Sequence, residues 1–173
     1  DLSGYKLISI DLETRDPDLK SKGSGAVIGN GEIIGVAVAV DGWCKYYPFG
    51  HEGGGNLDKK KILSWLSDVC ATEATKIFHN AMYDVCWLRS YGIKINGHIM
   101  DTMVMASLVD ENRMRYTLNA LSWEYLGERK SEATLFEIAK NWGIDPKAEL
   151  YKLPAIYVGE YAEKDASLTL DLF

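Results

Sequence analysis

The sequence predicts an α/β protein: a mixed β-sheet of about five strands with helices on both faces and a helical C-terminal portion. Three observations predict it. Two β-rich apolar runs, "YKLISIDLE" and "EIIGVAVAV", lie near the start. Shorter strand-like runs then alternate with stretches of helical spacing. The last third shows helical spacing alone. Such an order buries a mixed sheet under helices on both sides and places a ligand site at the carboxyl ends of the strands.

The first strand is expected over Tyr5 to Glu13, ending at its two carboxylates. The segment "RDPDLKSKGSGAVIGNG" is rich in Gly, Asp and Lys and is expected to be a mobile loop. Its glycine spacing misses the dinucleotide fingerprint, and no helical pattern opens after it. "EIIGVAVAV", the turn Asp41-Gly42 and "WCKYYPF" form a hairpin. "GHEGGGN" is expected to be a flexible connector, and without a following Lys-Ser/Thr it is no phosphate-binding loop. Ile62, Leu63, Leu66 and Val69 mark a helix between Leu57 and Cys70. A short strand, "TKIFHN", runs into a helix that Asn80 is expected to cap and that Gly92 ends. "GHIMDT" reads as a short strand delivering Asp101 to a helix start, with Asp101 a structural cap. Three or four helices complete the chain, at about 102–110, 117–126, 132–142 and 157–173.

A chain of 173 residues suits a single domain with a substantial core. It has no apolar run long enough to cross a membrane and no signal-peptide pattern at its start. The first residue is Asp and the last residues look helical, so a domain cut from a longer polypeptide is expected. Cys44, Cys70 and Cys86 are odd in number and form no C-x-x-C pair, which predicts free thiols in a reducing compartment. His51, His79 and His98 lack zinc-ligand spacing. The net charge of −6 argues against a broadly basic nucleic-acid surface, but leaves room for an enzyme that grips a few nucleotides through metal ions.

The chemistry is carried by three short patterns. In "IDLET", Asp11 and Glu13 lie two apart on a strand, so both carboxylates point to one face. Like charges side by side in a partly dry setting cost free energy unless a positive charge joins them. In "NAMYD", Asn80 and Asp84 are four apart at a helix start and share a face, as Tyr161 and Asp165 do in "YAEKD". Each pattern alone is weak, since D-x-E or Y-x-x-x-D arises about once by chance in a chain of this size. Asp16 and Asp18 form a decoy pair that flanking Pro17 explains as a turn. The strength lies in finding all three in order, each on a suitable element.

With these motifs in hand, the sequence resembles the DEDD 3′→5′ exonucleases of the ribonuclease H-like fold, in the branch with tyrosine in the last motif. The histidine branch would carry His at position 160, which is Glu160 here. The resemblance is strongest to the proofreading exonuclease domain of family A DNA polymerases, particularly phage-type enzymes. "IMDTMVMASLVDEN", "YTLNALSWEYLG" and "CKYYPFGHEGGGN" extend it over nearly the whole chain. It implies catalytic roles for Asp11, Glu13, Asp84, Tyr161 and Asp165, with the four carboxylates holding two divalent cations, Mg²⁺ or Mn²⁺, and Tyr161 orienting the attacking water. Hard oxygen donors suit those ions. It also implies substrate contacts from Leu12, Thr14, Asn80, Tyr83 and Arg115, with Arg113 a near neighbour able to substitute for the last. The implied substrate is the 3′ end of single-stranded DNA. The implied partner is a polymerase domain of the same parent chain, in the cytoplasm of a bacterial or phage-infected cell, with the isolated domain monomeric and no membrane involved. A ribonuclease D-like RNA exonuclease shares all three motifs, and a catalytically inactive nucleic-acid-binding module is the alternative from another class.

Overall fold

The computed structural model describes residues 2–129 and 132–173. Its five-stranded sheet has the order β3-β2-β1-β4-β5. Strands β1 (Leu7–Arg15), β2 (Glu32–Val40) and β3 (Trp43–Pro48) form an antiparallel meander, and β4 (Thr75–Phe78) and β5 (Ile99–Asp101) add in parallel beyond β1. Gly42, at φ 73°, makes the tight turn that pairs Val40 with Trp43.

The register of β1 on β2 sorts the two faces. Asp11 opposes Ala37, Glu13 opposes Gly35 and Ser9 opposes Ala39, and opposed residues share a face. On the other face Ile8, Ile10 and Leu12 join Val36, Val38 and Val40 in the larger core. That core is closed by Leu66, Val69 and Cys70 of α3 (Lys59–Ala71) and by Val85, Trp87 and Leu88 of α4 (Ala81–Ser90). Each aliphatic side chain fully buried there contributes about 1.5–3 kcal/mol.

The carboxylate face is covered by α8 (Ala155–Leu172), whose Val158, Ala162 and Ala166 pack on Ala37 and Ala39. Small residues on both surfaces let the helix backbone approach the sheet closely, which brings its polar side chains down to Asp11 and Glu13. Between α4 and α8 lie α5 (Thr102–Val109), α6 (Leu118–Leu126) and α7 (Glu132–Asn141), the last two packing beside α8. Among the described residues no helix is long and apolar enough to cross a membrane.

Three expectations are corrected. The first strand does not end at its carboxylates: it runs on to Arg15, because β2 keeps pairing with Thr14 and Arg15 after a register shift between Glu13 and Thr14. The segment expected to be a mobile loop holds two one-turn helices, α1 (Leu19–Lys22) and α2 (Gly25–Ile28). Both Asp16 oxygens accept from the Gly25 backbone N–H, at 3.0 and 3.1 Å, and Asp18 accepts from the Asn30 side chain at 2.8 Å. A single helical turn has no periodicity for a sequence to display.

The glycine-rich connector is a clamp rather than a flexible link. Glu52 donates its backbone N–H to the Tyr151 carbonyl at 2.7 Å, and Ala155 donates to Gly54 at 3.0 Å. A Cβ on Gly53 would lie 2.3 Å from the Pro154 nitrogen, so only glycine permits this approach. Buried His51 completes the clamp. Its Nδ1 lies 3.0 Å from the Leu153 carbonyl, which can only accept, so Nδ1 carries the proton and Nε2 accepts from the Tyr46 hydroxyl at 2.7 Å.

Candidate active site

The site is built on the stretch of β1 that outruns β4. The two strands pair only from Leu7 to Ser9, which leaves the later edge of β1 open toward the start of α4. The Leu12 backbone N–H fills that opening by donating to Asp84 Oδ1 at 3.2 Å. This contact draws the carboxylate of the second motif up to those of the first. The register shift after Glu13 is the kind of irregularity that re-aims side chains beside functional sites. Behind Glu13, Gly35 makes room for the Tyr46 ring: a Cβ there would stand 2.2 Å from the Tyr46 oxygen.

Asn80 is not the helix cap expected of it, since its side chain makes no capping bond. Asp101 does that work for two helices. Its carboxylate accepts from the Asn80 and Ala81 backbone N–H groups at 3.0 and 2.8 Å, opening α4, and from Met103 at 2.9 Å, opening α5. The reading of Asp101 as a structural cap therefore holds, with one more helix than expected. Asn80 instead turns the chain through the left-handed region at φ 70°, which Asn tolerates better than most residues. Its side chain is exposed, four residues before Asp84.

Asp84 is buried, as are Glu13 and Asp165. Burial lifts the Asp84 carboxyl well above the usual carboxylate range, the charge of Asp11 lifts it further, and the Leu12 N–H opposes them. From the opposite side, α8 presents Tyr161 and Asp165 one turn apart. Burial, then the charges of Asp165, Glu13 and Asp11, push the Tyr161 phenol far above its ordinary value. Without metal, Tyr161 therefore keeps its proton at neutral pH, and its hydroxyl can orient a water molecule.

A cleft of about 420 Å³ opens beside these groups, lined by Glu13, Tyr161, Phe136 and Lys147 among others. A second cavity of about 230 Å³ adjoins Thr14, Tyr83, Lys20 and again Lys147. A larger cavity, about 860 Å³, lies against Trp43 and Phe173 and holds none of the motif residues. Size alone does not mark the site. Thr14 and Tyr83 are brought together: the Thr14 hydroxyl donates to the Tyr83 oxygen at 2.8 Å, while Tyr83 donates to Asp16 at 2.9 Å. Burial pushes the Tyr83 phenol up to about 12.

Two suggested contacts sit differently. The Leu12 side chain is buried in the larger core, and its polar contribution to the site is its backbone N–H. Arg113 is committed to Glu124, with one nitrogen at 2.7 Å, and to Asp110 at 3.6 Å. It is not available as a substitute for Arg115, which is exposed. No spaced motif marks Phe136, Lys20 or Lys147: Phe136 and Lys147 line the cleft and Lys20 the smaller cavity beside it, each from a separate segment.

The donors gathered here are carboxylate oxygens, the hard ligands that suit Mg²⁺ or Mn²⁺. The charges acting on Asp84 are themselves carboxylates, Asp11 and Asp101, so the donor set fits a divalent cation as counter-charge. Among the described residues, no group of three or more His, Cys, Asp or Glu side chains is placed so that it could hold a metal ion as it stands.

Over residues 1–173 the chain matches the model of a protein family described as 3′-5′ exonuclease. This chain belongs to that family. The exonuclease domain is 36% identical over 174 residues to a DNA-directed DNA polymerase of Pseudomonas phage M6, covering 98% of this chain and 26% of the polymerase. It is 29% identical over 182 residues to the DNA polymerase DpoZ of Salmonella phage PMBT28, covering 99% of this chain and 26% of that one. The domain thus spans about a quarter of the length of these relatives. Among solved structures, Brucella melitensis NrnC matches with a TM-score of 0.66 at 18% identity, over 99% of this chain and 72% of that chain. A Pol1 structure from M. smegmatis, described with DNA primer-template and dNTP, matches at 0.62 and 18% identity, over 98% and 23%. The fold is the expected α/β, ribonuclease H-like one.

Proposed function

We propose that this exonuclease domain releases nucleoside monophosphates from the 3′ ends of single-stranded DNA, with two divalent cations, Mg²⁺ or Mn²⁺, held by Asp11, Glu13, Asp84 and Asp165. The observation that carries the reading is the meeting of carboxylates from β1, α4 and α8 beside a tyrosine that keeps its proton. When bound, such an ion pair activates water and stabilises the leaving oxygen of an in-line displacement. Tyr161, with Glu13, orients that water. Asp84 and Asp11 keep their mutual repulsion until a cation relieves it. Thr14, Asn80 and Tyr83 line the approach of the strand, and exposed Arg115 reaches a phosphate from the α5–α6 connection. Residues 1–173 form one domain of a longer polymerase chain, for which it proofreads in the cytoplasm of a bacterial or phage-infected cell. On its own the domain is monomeric.

The test is digestion of a 5′-labelled single strand in Mg²⁺, with and without chelator, by wild type, Asp11→Ala and Asp84→Asn. Asparagine is chosen at position 84 because it still accepts from the Leu12 N–H. Wild type should shorten the strand from its 3′ end only when metal is present, and cut the matched RNA strand more slowly. Both variants should be inactive, since each removes a metal ligand. A tenth or more of wild-type activity in either variant would count against the two-metal assignment.

A further inference from the structure

Lys20 and Lys147 lie far apart in sequence, yet both border the smaller cavity beside Thr14 and Tyr83, and Lys147 also lines the cleft that holds Glu13 and Tyr161. Among the described residues lining these two spaces they are the cations. Asp145 joins them electrically: its carboxylate accepts from the Lys147 and Ala148 backbone N–H groups at 2.8 and 3.0 Å. These bonds, then the charges of Lys20 and Lys147, hold that carboxyl below its usual range.

Neither lysine rides on a loose segment. Lys20 sits on α1, and the loop around it is fixed by Asp16, which takes the Gly25 N–H and the Tyr83 hydroxyl. Lys147 sits in a turn closed by the Asp145 N–H donating to Glu149 at 2.9 Å. Both side chains are exposed at their cavity. A strand entering a site crowded with carboxylates, on a chain of net charge −6, meets repulsion along its whole backbone. A fixed pair of positive charges beside the cleft offsets that repulsion where the strand enters.

We infer that Lys20 and Lys147 form a phosphate-binding subsite that grips the backbone of the single strand next to the reacting linkage. The inference rests on the exonuclease reading. It concerns binding, however, and is tested without cleavage. The phosphodiester is the recognised group, so the grip is independent of base sequence.

The experiment measures binding of a labelled short oligothymidylate in chelator, by fluorescence anisotropy across a salt series. Wild type is compared with Lys20→Gln/Lys147→Gln and with Lys20→Arg/Lys147→Arg. Neutralising the pair should weaken binding and reduce the slope of log K against log salt by about 0.7 for each phosphate released. The arginine variant should restore both, which separates charge from any change in fold. Placing a neutral methylphosphonate at single linkages locates the phosphate. One position near the 3′ end should weaken wild type and leave the glutamine variant unchanged. Equal slopes in wild type and glutamine variant, no linkage with that coupling, or no strand binding by wild type would each overturn the subsite. A wild type that binds with the steeper slope but leaves the strand uncut in Mg²⁺ would defeat the exonuclease reading and leave the subsite standing.

Discussion

At Tyr161 and Asp84 burial disfavours the ionised form of both side chains. The phenol is held in its protonated form, and the proposed reading gives it an orienting part in cleavage. Tyr161→Phe should therefore lower the single-turnover rate by about 10²-fold or less, and a phenylalanine variant as fast as wild type would remove the tyrosine from the mechanism. Asp84 is a carboxyl whose ionised form is disfavoured by burial and by Asp11. Its folded-state pKa lies above its ordinary 3.8, so the unfolded chain gives up the proton first. Stability present at low pH is then lost as pH rises through the folded value. At neutral pH without metal, Asp84→Asn should be as stable as wild type or more so. A gain of about 1 kcal/mol would raise the melting temperature by roughly 2–4 °C at this size. The same variant should gain less from added Mn²⁺, because ligand stabilisation scales with affinity for the folded state. Melting curves in chelator and in Mn²⁺ read both effects, and a variant melting well below wild type in chelator would show Asp84 to be a fold-bearing group instead.

The helix that presents Asp84 is held, together with α5, by a single residue. Asp101 ends β5 and accepts the first N–H groups of both α4 and α5. Losing an N-cap acceptor costs about 0.5–2 kcal/mol per helix, so Asp101→Ala should destabilise the domain by about 1–4 kcal/mol. It should also lower activity, because the start of α4 sets the position of Asp84. Denaturant unfolding measures the first effect. Amide exchange at Ala81 and Met103 reports the two helix starts, and both amides should lose protection together. Protection lost at only one helix would mean that the two ends are capped independently.

On the scale of the whole molecule, His51 joins the hairpin side of the sheet to the segment that leads into α8. Burial holds its imidazole below the ordinary value of 6.5, so the unfolded chain takes up a proton where the folded chain does not. The stability it contributes is complete above 6.5 and is lost as pH falls from there toward the folded value. His51→Gln should flatten the pH dependence of unfolding between about pH 5 and 7. At neutral pH it should cost about 1–3 kcal/mol through the Tyr46 hydroxyl and Leu153 carbonyl left without partners. Denaturant midpoints across that range provide the check, and an unchanged slope in the variant would place the titration elsewhere.

What the sequence determined by itself is local geometry. A strand repeats every two residues, so Asp11 and Glu13 had to share a face, and Ile8, Ile10 and Leu12 the other. A helix returns after four, so Tyr161 and Asp165 had to stand together. The Asp41-Gly42 turn fixed the hairpin partners in the same way. Tertiary structure decided what depends on distant segments meeting. The glycine-rich connector becomes a clamp only because residues about a hundred positions later supply the Tyr151 and Leu153 carbonyls. Asp101 displaces Asn80 as the cap of α4 only because β5 lies beside β4. Lys20 and Lys147 share a cavity only because the loop after β1 folds against the turn before α8. A periodic pattern records what each residue's near neighbours require, whereas these contacts arise from how layers pack, and no spacing along the chain encodes them.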